Sequence, residues 1–133
     1  RFTKDTRYLE QAVKIAEFIL NHPNMPEDLV PYWDYNALDI PNTLRDASAA
    51  AISCAGLFEL CRYVSENSRQ KYFEAAEKML QELSSSEVGT NGGFILKHSV
   101  GNMPAGTEVD APLTYADYYF VEALCRYKSL TNK

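Results

Sequence analysis

The stretch that most constrains this chain runs Ala47, Ser48, Ala49, Ala50, Ala51, Ile52, with Ser53, Ala55 and Gly56 close behind. A helix with one small stripe packs closely along that stripe. One that is small on every side is surrounded, so this segment reads as an inner helix with several neighbours. It begins directly behind Arg45 and Asp46, which gives an apolar barrel a charged mouth. Thr43 reads as its N-cap, with Asp46 three residues on as an acidic form of the capping box. Ile52, Leu57, Leu60 and Val64 carry the helical period to about residue 66.

Around this helix the chain divides into further helices and two long irregular segments. Residues 6–21 form a first helix on the spacing of Ala12, Ile15 and Ile19, and Asn21, His22 and Pro23 end it. Residues 23–42 follow without periodicity, carrying Leu29, Tyr32, Trp33 and Tyr35 among four prolines. A loop of that length is rarely kept in a small domain without a use. Asn67 and Ser68 make a tight link to a third, amphipathic helix over residues 69–83. A second long segment spans residues 84–111, rich in Ser and Gly, with Phe94, Ile95 and Leu96 as a short strand. The last helix starts near Pro112, a residue suited to a first helical turn, and residues 128–133 read as a polar tail. The connections alternate long, short, long. Antiparallel helices joined in that way place both long loops at one end, the layout of helical-hairpin toroids and solenoids.

Composition narrows the function. With 133 residues and 46% hydrophobic side chains, 1–133 is a single segment able to bury a core without staples. A net charge of -5, with scattered Lys and Arg, excludes a nucleic-acid surface. No apolar run is long enough for a membrane helix. Cys54, Cys61 and Cys125 are expected to be buried, reduced core residues, and no Cys or His pair has the spacing of a zinc site, so neither metal nor cofactor is expected. The chain starts at Arg1 in place of a Met, which reads as a processed, truncated or excised start. Its compartment, cytoplasmic or periplasmic, is not readable.

If the long loops share a rim, Tyr32, Trp33, Arg45, Lys97, His98 and Tyr115 meet around one concavity. That set suits a carbohydrate: aromatic rings stack on sugar C–H faces, polar groups bond hydroxyls, and an Arg fork matches a uronic carboxylate. Each residue also has a plainer role open to it. Asp46 serves as a helix cap, Arg45 pairs with Asp34 or Asp39, Trp33 plugs a loop, and Asp117 is favoured as a structural hydrogen-bond acceptor over an acid. Residues 89–93 lack the Gly-Lys-Ser/Thr of a phosphate loop and read as a turn.

Pro31 to Tyr35, Asp39-Ile40-Pro41, Arg45 to Ile52, Leu96 to Gly101, Asp110 to Leu113 and Tyr115 to Leu124 together resemble glycoside hydrolase family 88, the unsaturated glucuronyl hydrolases, over the C-terminal third only. The resemblance implies an all-α fold, helical hairpins forming part of an (α/α)6 toroid with two long loops on one face. It implies an unsaturated oligosaccharide substrate whose C4=C5 enol ether is hydrated, with an Asp as general acid and base. That Asp lies in the N-terminal part which such a segment lacks, so no catalytic role passes to Asp34, Asp46 or Asp117. A few helices cannot close such a ring. Exposed apolar flanks are therefore expected, with self-association or association with the missing N-terminal portion. Two other readings stand beside it: an unsaturated rhamnogalacturonyl-type (α/α)6 hydrolase, and a helical-repeat interaction module without catalysis. The absence of a repeating helix-pair signature weighs against the last.

Overall fold

The computed structural model describes residues 2–132, the side chains of residues 86–91 aside. Helix α1 spans Thr6–Leu20, α2 Ala47–Leu60, α3 Glu66–Glu82 and α4 Thr114–Thr131, and a small hairpin of β1 (Val88–Asn91) and β2 (Phe94–Leu96) precedes α4. The expected all-α chain is thus borne out with one antiparallel hairpin added, turning on Gly92 and Gly93 at φ +62° and +93°. Backbone in that region suits glycine, and two such residues make the tight turn.

Helix α2 is the element on which the others pack. Ala47, Ala50, Ala51, Cys54 and Phe58 are fully buried, as are Ala76 and Met79 of α3 and Ala116 and Ala123 of α4. Alanine meeting alanine lets the helix axes approach closely, and the larger groups Phe58, Phe73, Tyr72 and Tyr127 fill the space beyond. The Phe58 ring meets Phe73 at 5.6 Å and Tyr127 at 5.7 Å between centroids.

The surround is not complete, however. Ile52 and Gly56 are exposed, and between α1 and α2 lies an apolar groove of about 240 Å³ lined by Ala12, Ile15, Ile19, Ile52, Gly56 and Leu57 among others. On the outer side of α4, Tyr118, Val121 and Leu124 are 41–62% exposed. Helix α1 packs Leu9, Ala12, Val13, Ala16 and Leu20 on the core, and polar contacts tie it further: Glu17 accepts from Lys71 Nζ at 2.6 Å and from the Tyr72 hydroxyl at 2.8 Å. The Lys71 bond, then the Tyr72 bond, hold the Glu17 carboxyl below the usual carboxylate range. Burial, then the bond to Glu17 and its charge, push the Tyr72 hydroxyl up to about 12.

Several boundaries differ from expectation. The N-cap of α2 is Asp46, not Thr43: the chain stays extended through residue 45 because Arg45 bridges Tyr32, and the Thr43 hydroxyl is taken by Trp33 Nε1 at 3.0 Å. Helix α2 ends at Leu60, where Arg62 and Tyr63 N–H groups bond back to Glu59 and Leu60 in a tighter turn. Asn67 and Ser68 lie inside α3, and the short link is 61–65. Pro112 stands outside α4, whose N-cap is Leu113, and the expected tail is helical to Thr131. The end of α3 widens into a π turn over Leu83–Glu87, where Ser84 and Ser85 hydroxyls bond the carbonyls of Leu80 and Glu82. Serine back-bonding of this kind loosens the helical ladder.

The two long connections, 21–46 and 83–113, meet at the N-terminal end of α2, as the alternation of loop lengths implies. Ala47 N–H donates to the His98 carbonyl at 2.9 Å, and Asp46 N–H donates to the Pro31 carbonyl at 2.9 Å. Asp46 Oδ1 accepts from Ser48 N–H, the Ser48 hydroxyl and Val100 N–H at 2.9, 2.6 and 3.3 Å. The buried carboxylate thus caps the helix and fastens the second loop to it, while the backbone amide of the same residue fastens the first. Asp46→Ala removes the cap and strands the buried Val100 donor, which should cost about 2 kcal/mol of unfolding free energy, with Asp46→Asn milder; chemical denaturation reads both.

Cys54 and Cys61 are buried and Cys125 is exposed, so the expectation of three core cysteines holds for two. Burial pushes the Cys54 thiol up to about 12. Alkylation of the native chain should modify Cys125 alone, and mass spectrometry showing label on Cys54 before unfolding would contradict this packing.

Candidate functional site

The six candidate residues lie on the two loops and the start of α4, gathered around the mouth of α2. Tyr32 and Arg45 pair as an isolated antiparallel bridge, and Trp33 N–H donates to the Leu44 carbonyl at 3.1 Å. This short ribbon brings the aromatic segment back alongside the approach to α2. The Arg45 guanidinium sits 5.1 Å from the Tyr32 ring centre, and its Nε donates to the Val30 carbonyl at 2.7 Å. Its Nη2 is bonded to both that carbonyl and Asp28. The fork expected to grip a uronic carboxylate is therefore already used to close the loop, and the partner is Asp28 in place of Asp34 or Asp39. Arg45 acts as a brace that presents Tyr32 and leaves Nη1 without a partner among the described residues.

Trp33 is half-buried, fixed through its backbone and its Nε1. With its N–H engaged, what it offers a ligand is ring surface. Lys97, partly buried, carries no side-chain bond among the described residues. Tyr115, 39% exposed, stands in the first turns of α4. Burial pushes its hydroxyl up, with the Ser48 hydroxyl opposing and the charges of Asp46 and Glu108 adding.

His98 is anchored at its backbone by the cap bond from Ala47 and at its ring by Asp110, with Nδ1 and Oδ1 2.7 Å apart. The strand-like arm after His98 pairs with the arm before α4: Ser99 and Ala111 exchange bonds at 3.1 and 3.0 Å, and Gly101 N–H donates to Glu108 at 2.7 Å. Glu108 and Asp110 take φ of +55° and +51°. A side chain at Gly101 would strike the Glu108 carboxylate, which explains glycine there. Left-handed backbone costs roughly 1–2 kcal/mol per residue, less for Asp than for most. A half-exposed histidine–carboxylate contact offsets about 0–1 kcal/mol. The pairing of the arms, not the His98–Asp110 contact, holds this geometry. Beside it the buried Ser99 hydroxyl has no hydrogen-bond partner among the described residues.

Asp117, favoured as a structural acceptor, accepts Ile95 N–H at 3.0 Å and Leu96 N–H at 2.9 Å, fastening β2 to α4. Three cavities among the described residues lie elsewhere: the α1–α2 groove, a hollow around Phe2, Tyr8, Tyr63 and Arg126, and a shallow one along α4. None is lined by the six candidates. Sequence reasoning gave no role to Asp28 or Glu108, and named Asp110 only within a motif that carries the resemblance.

No protein-family model matches the chain. An unsaturated glucuronyl hydrolase of Formosa agariphila is 44% identical over 100% of the chain and 34% of its own length. The crystal structure of an unsaturated glucuronyl hydrolase specific for heparin superposes with a TM-score of 0.91 at 46% identity, covering 98% of this chain and 36% of that one. A mutant unsaturated glucuronyl hydrolase from Streptococcus agalactiae, complexed with dGlcA-GalNAc6S, gives 0.78 at 31% identity over 93% of this chain and 36% of the other. The chain spans about a third of the length of the curated relatives it matches. In sequence and in fold it is similar, along its whole length, to the C-terminal third of the unsaturated glucuronyl hydrolases, proteins of the (α/α)6 toroid fold.

Proposed function

We propose that the chain supplies one wall of the sugar site of an unsaturated glucuronyl hydrolase. The observation that carries this reading is the meeting of both long loops at the capped mouth of α2, in a chain similar from end to end to such enzymes. The substrate is an oligosaccharide with an unsaturated uronic acid at its non-reducing end, as polysaccharide lyases leave. Hydration adds a proton to C4 and water oxygen to C5 of the enol ether. The resulting hemiketal opens, the glycosidic C–O bond breaks, and the leaving sugar departs with its oxygen protonated.

Within that reaction the wall binds and orients. Tyr32 and Trp33 offer stacking faces, Arg45 braces Tyr32, and Lys97, His98 and Tyr115 face the substrate with polar groups. The rim aspartates already accept hydrogen bonds in the structure, Asp46 from Ser48 and Val100, Asp117 from β2, Asp34 from Asn36 N–H. The proton donor therefore comes from the portion of such an enzyme outside this chain. That portion also covers the apolar groove between α1 and α2 and the outer face of α4.

The chain alone should leave the ultraviolet absorbance of an unsaturated glycosaminoglycan disaccharide unchanged. The longer polypeptide carrying it, expressed with the preceding coding sequence, should abolish that absorbance. Turnover by residues 1–133 alone would overturn the placement of the acid, and an inert longer polypeptide would overturn the reading as a whole. In the active form, Trp33→Ala should raise KM roughly tenfold with a smaller effect on kcat, as expected when a stacking face that binds ground and transition states alike is lost.

A further inference from the structure

We propose that His22 is a positioning residue for the Tyr32–Trp33 segment: its neutral ring, acting through Asn24 and Tyr35, holds that segment to the end of α1, and protonation of the ring releases it. The hold is a property of the chain itself; its effect on turnover rests on the reading of that segment as part of a sugar site.

Helix α1 ends in a turn that fixes the His22 backbone on both sides. Its N–H donates to the Ile19 carbonyl at 3.3 Å, and its carbonyl accepts Met25 N–H at 2.9 Å. From there the ring stacks on Tyr35, with 4.3 Å between centroids and 26° between planes, and makes an edge contact with Phe18 at 5.4 Å. Nδ1 accepts the backbone N–H of Asn24 at 3.2 Å. A peptide N–H can only donate, so the neutral ring carries its proton on Nε2. Asn24 in turn donates from Nδ2 to the Tyr35 carbonyl at 2.7 Å. One turn thus holds Tyr35 twice, by its ring and by its backbone.

Tyr35 stands two residues after Trp33. Beyond Trp33 the loop bonds largely to itself, Asn36 and Ala37 N–H to Asp34 and Asn42 N–H to Asp39. The bonds of Trp33 run to Thr43 and Leu44, on the returning side of the same loop. Tyr35 is therefore where this half of the loop is fastened to a helix, and the pose of the Trp33 ring depends on it.

A proton acts differently on the two contacts. A cation over the face of Tyr35 is attracted to it, so the stack survives the charge. The Asn24 bond does not, because a ring with both nitrogens protonated has no acceptor left and sets one donor against another. Nearby charges do not compensate. Glu17 of α1 is engaged by Asn21, Lys71 and Tyr72, Asp34 accepts Asn36 N–H, and among the described residues no acid pairs with the ring. The Tyr35 hydroxyl, pushed up by burial, stays neutral in this range. The Asn24 bond contributes while the ring is neutral and is lost as pH falls, so the segment is held at neutral pH and above and freed in acid.

Trp33 is the single tryptophan, so its fluorescence reports the pose. Nitrogen-15 spectra of residues 1–133 should show His22 protonated at Nε2 at about pH 8. Toward about pH 5, Asn24 amide exchange and Trp33 fluorescence should change together with the His22 ring signal. His22→Phe keeps a stacking ring without an acceptor, and His22→Asn keeps an acceptor near the place of Nδ1 without a titrating ring. Both should lose the fluorescence change, the first resembling the acid form and the second the neutral form; the same change surviving in either would overturn the hold. In the longer polypeptide at about pH 8, His22→Phe should raise KM about three- to fivefold with kcat unchanged, and His22→Asn should stay within about twofold of the unaltered protein. The KM ratio of His22→Phe to the unaltered protein should fall toward one at about pH 5. A ratio that does not change with pH, or an equal rise in both variants, would overturn the positioning role. A longer polypeptide inert toward every unsaturated uronide overturns the functional reading, and fluorescence and amide exchange then decide the hold alone.

Discussion

The structure depends on one carboxylate. Asp46 Oδ1 takes the first free amide of α2, the hydroxyl of Ser48, and the amide of Val100 from a segment more than fifty residues away. A helix N-terminus presents donors with no intrahelical partner and a partial positive charge, so an acid placed there is stabilised twice. Here the acid also fixes where both long loops end. Residues 31 and 98 each give a backbone carbonyl to the same turn, to Asp46 N–H and Ala47 N–H. The mouth of α2 is therefore closed by backbone hydrogen bonds, with one side chain at their centre.

That arrangement determines what remains for a ligand. When loops are fixed through their backbones, side chains along them are not needed to hold the fold, and Lys97, with no side-chain bond among the described residues, and the Trp33 ring face are such groups. Arg45 is the exception, committed to Val30 and Asp28. The alanines behind the mouth serve a separate need. They let α3 and α4 lie against α2 with buried Ala76, Ala116 and Ala123 at the contacts, while the third side, toward α1, stays open over Ile52 and Gly56. A helix small on every side has been given fewer neighbours here than its surface admits, which fits a segment of a larger ring.

The parts legible in the sequence were those governed by local pattern. The periodic helices, the alternation of long and short links, the strand at Phe94 and the acceptor role of Asp117 follow from spacing and from residue chemistry. The start of α2 did not. Thr43 and Asp46 are both good caps, and the choice between them rests on Arg45 pairing with Tyr32 thirteen positions earlier, a contact that no local window contains. The ion pair of Arg45 went to Asp28 for the same reason. The contact of Asp110 with His98 stayed hidden because it depends on left-handed backbone, which only Gly and, less strongly, Asn or Asp signal in a sequence. Cys125 was misplaced since α4 has apolar residues on its outer side as well, and periodicity alone does not say which side meets α2.

The disposition of acids on the rim bears on how the chemistry is divided. A general acid must present a proton to the reacting carbon, so it needs an environment that keeps a carboxyl protonated and unengaged. Asp28, Asp34, Asp46 and Asp117 instead accept hydrogen bonds from backbone amides, and Asp110 faces an imidazole. Each of these side chains is already engaged by a loop, a helix or a ring that it holds in place. A wall whose acids are used in that way holds loops and orients an imidazole, and that physical division supports a reacting acid outside this chain.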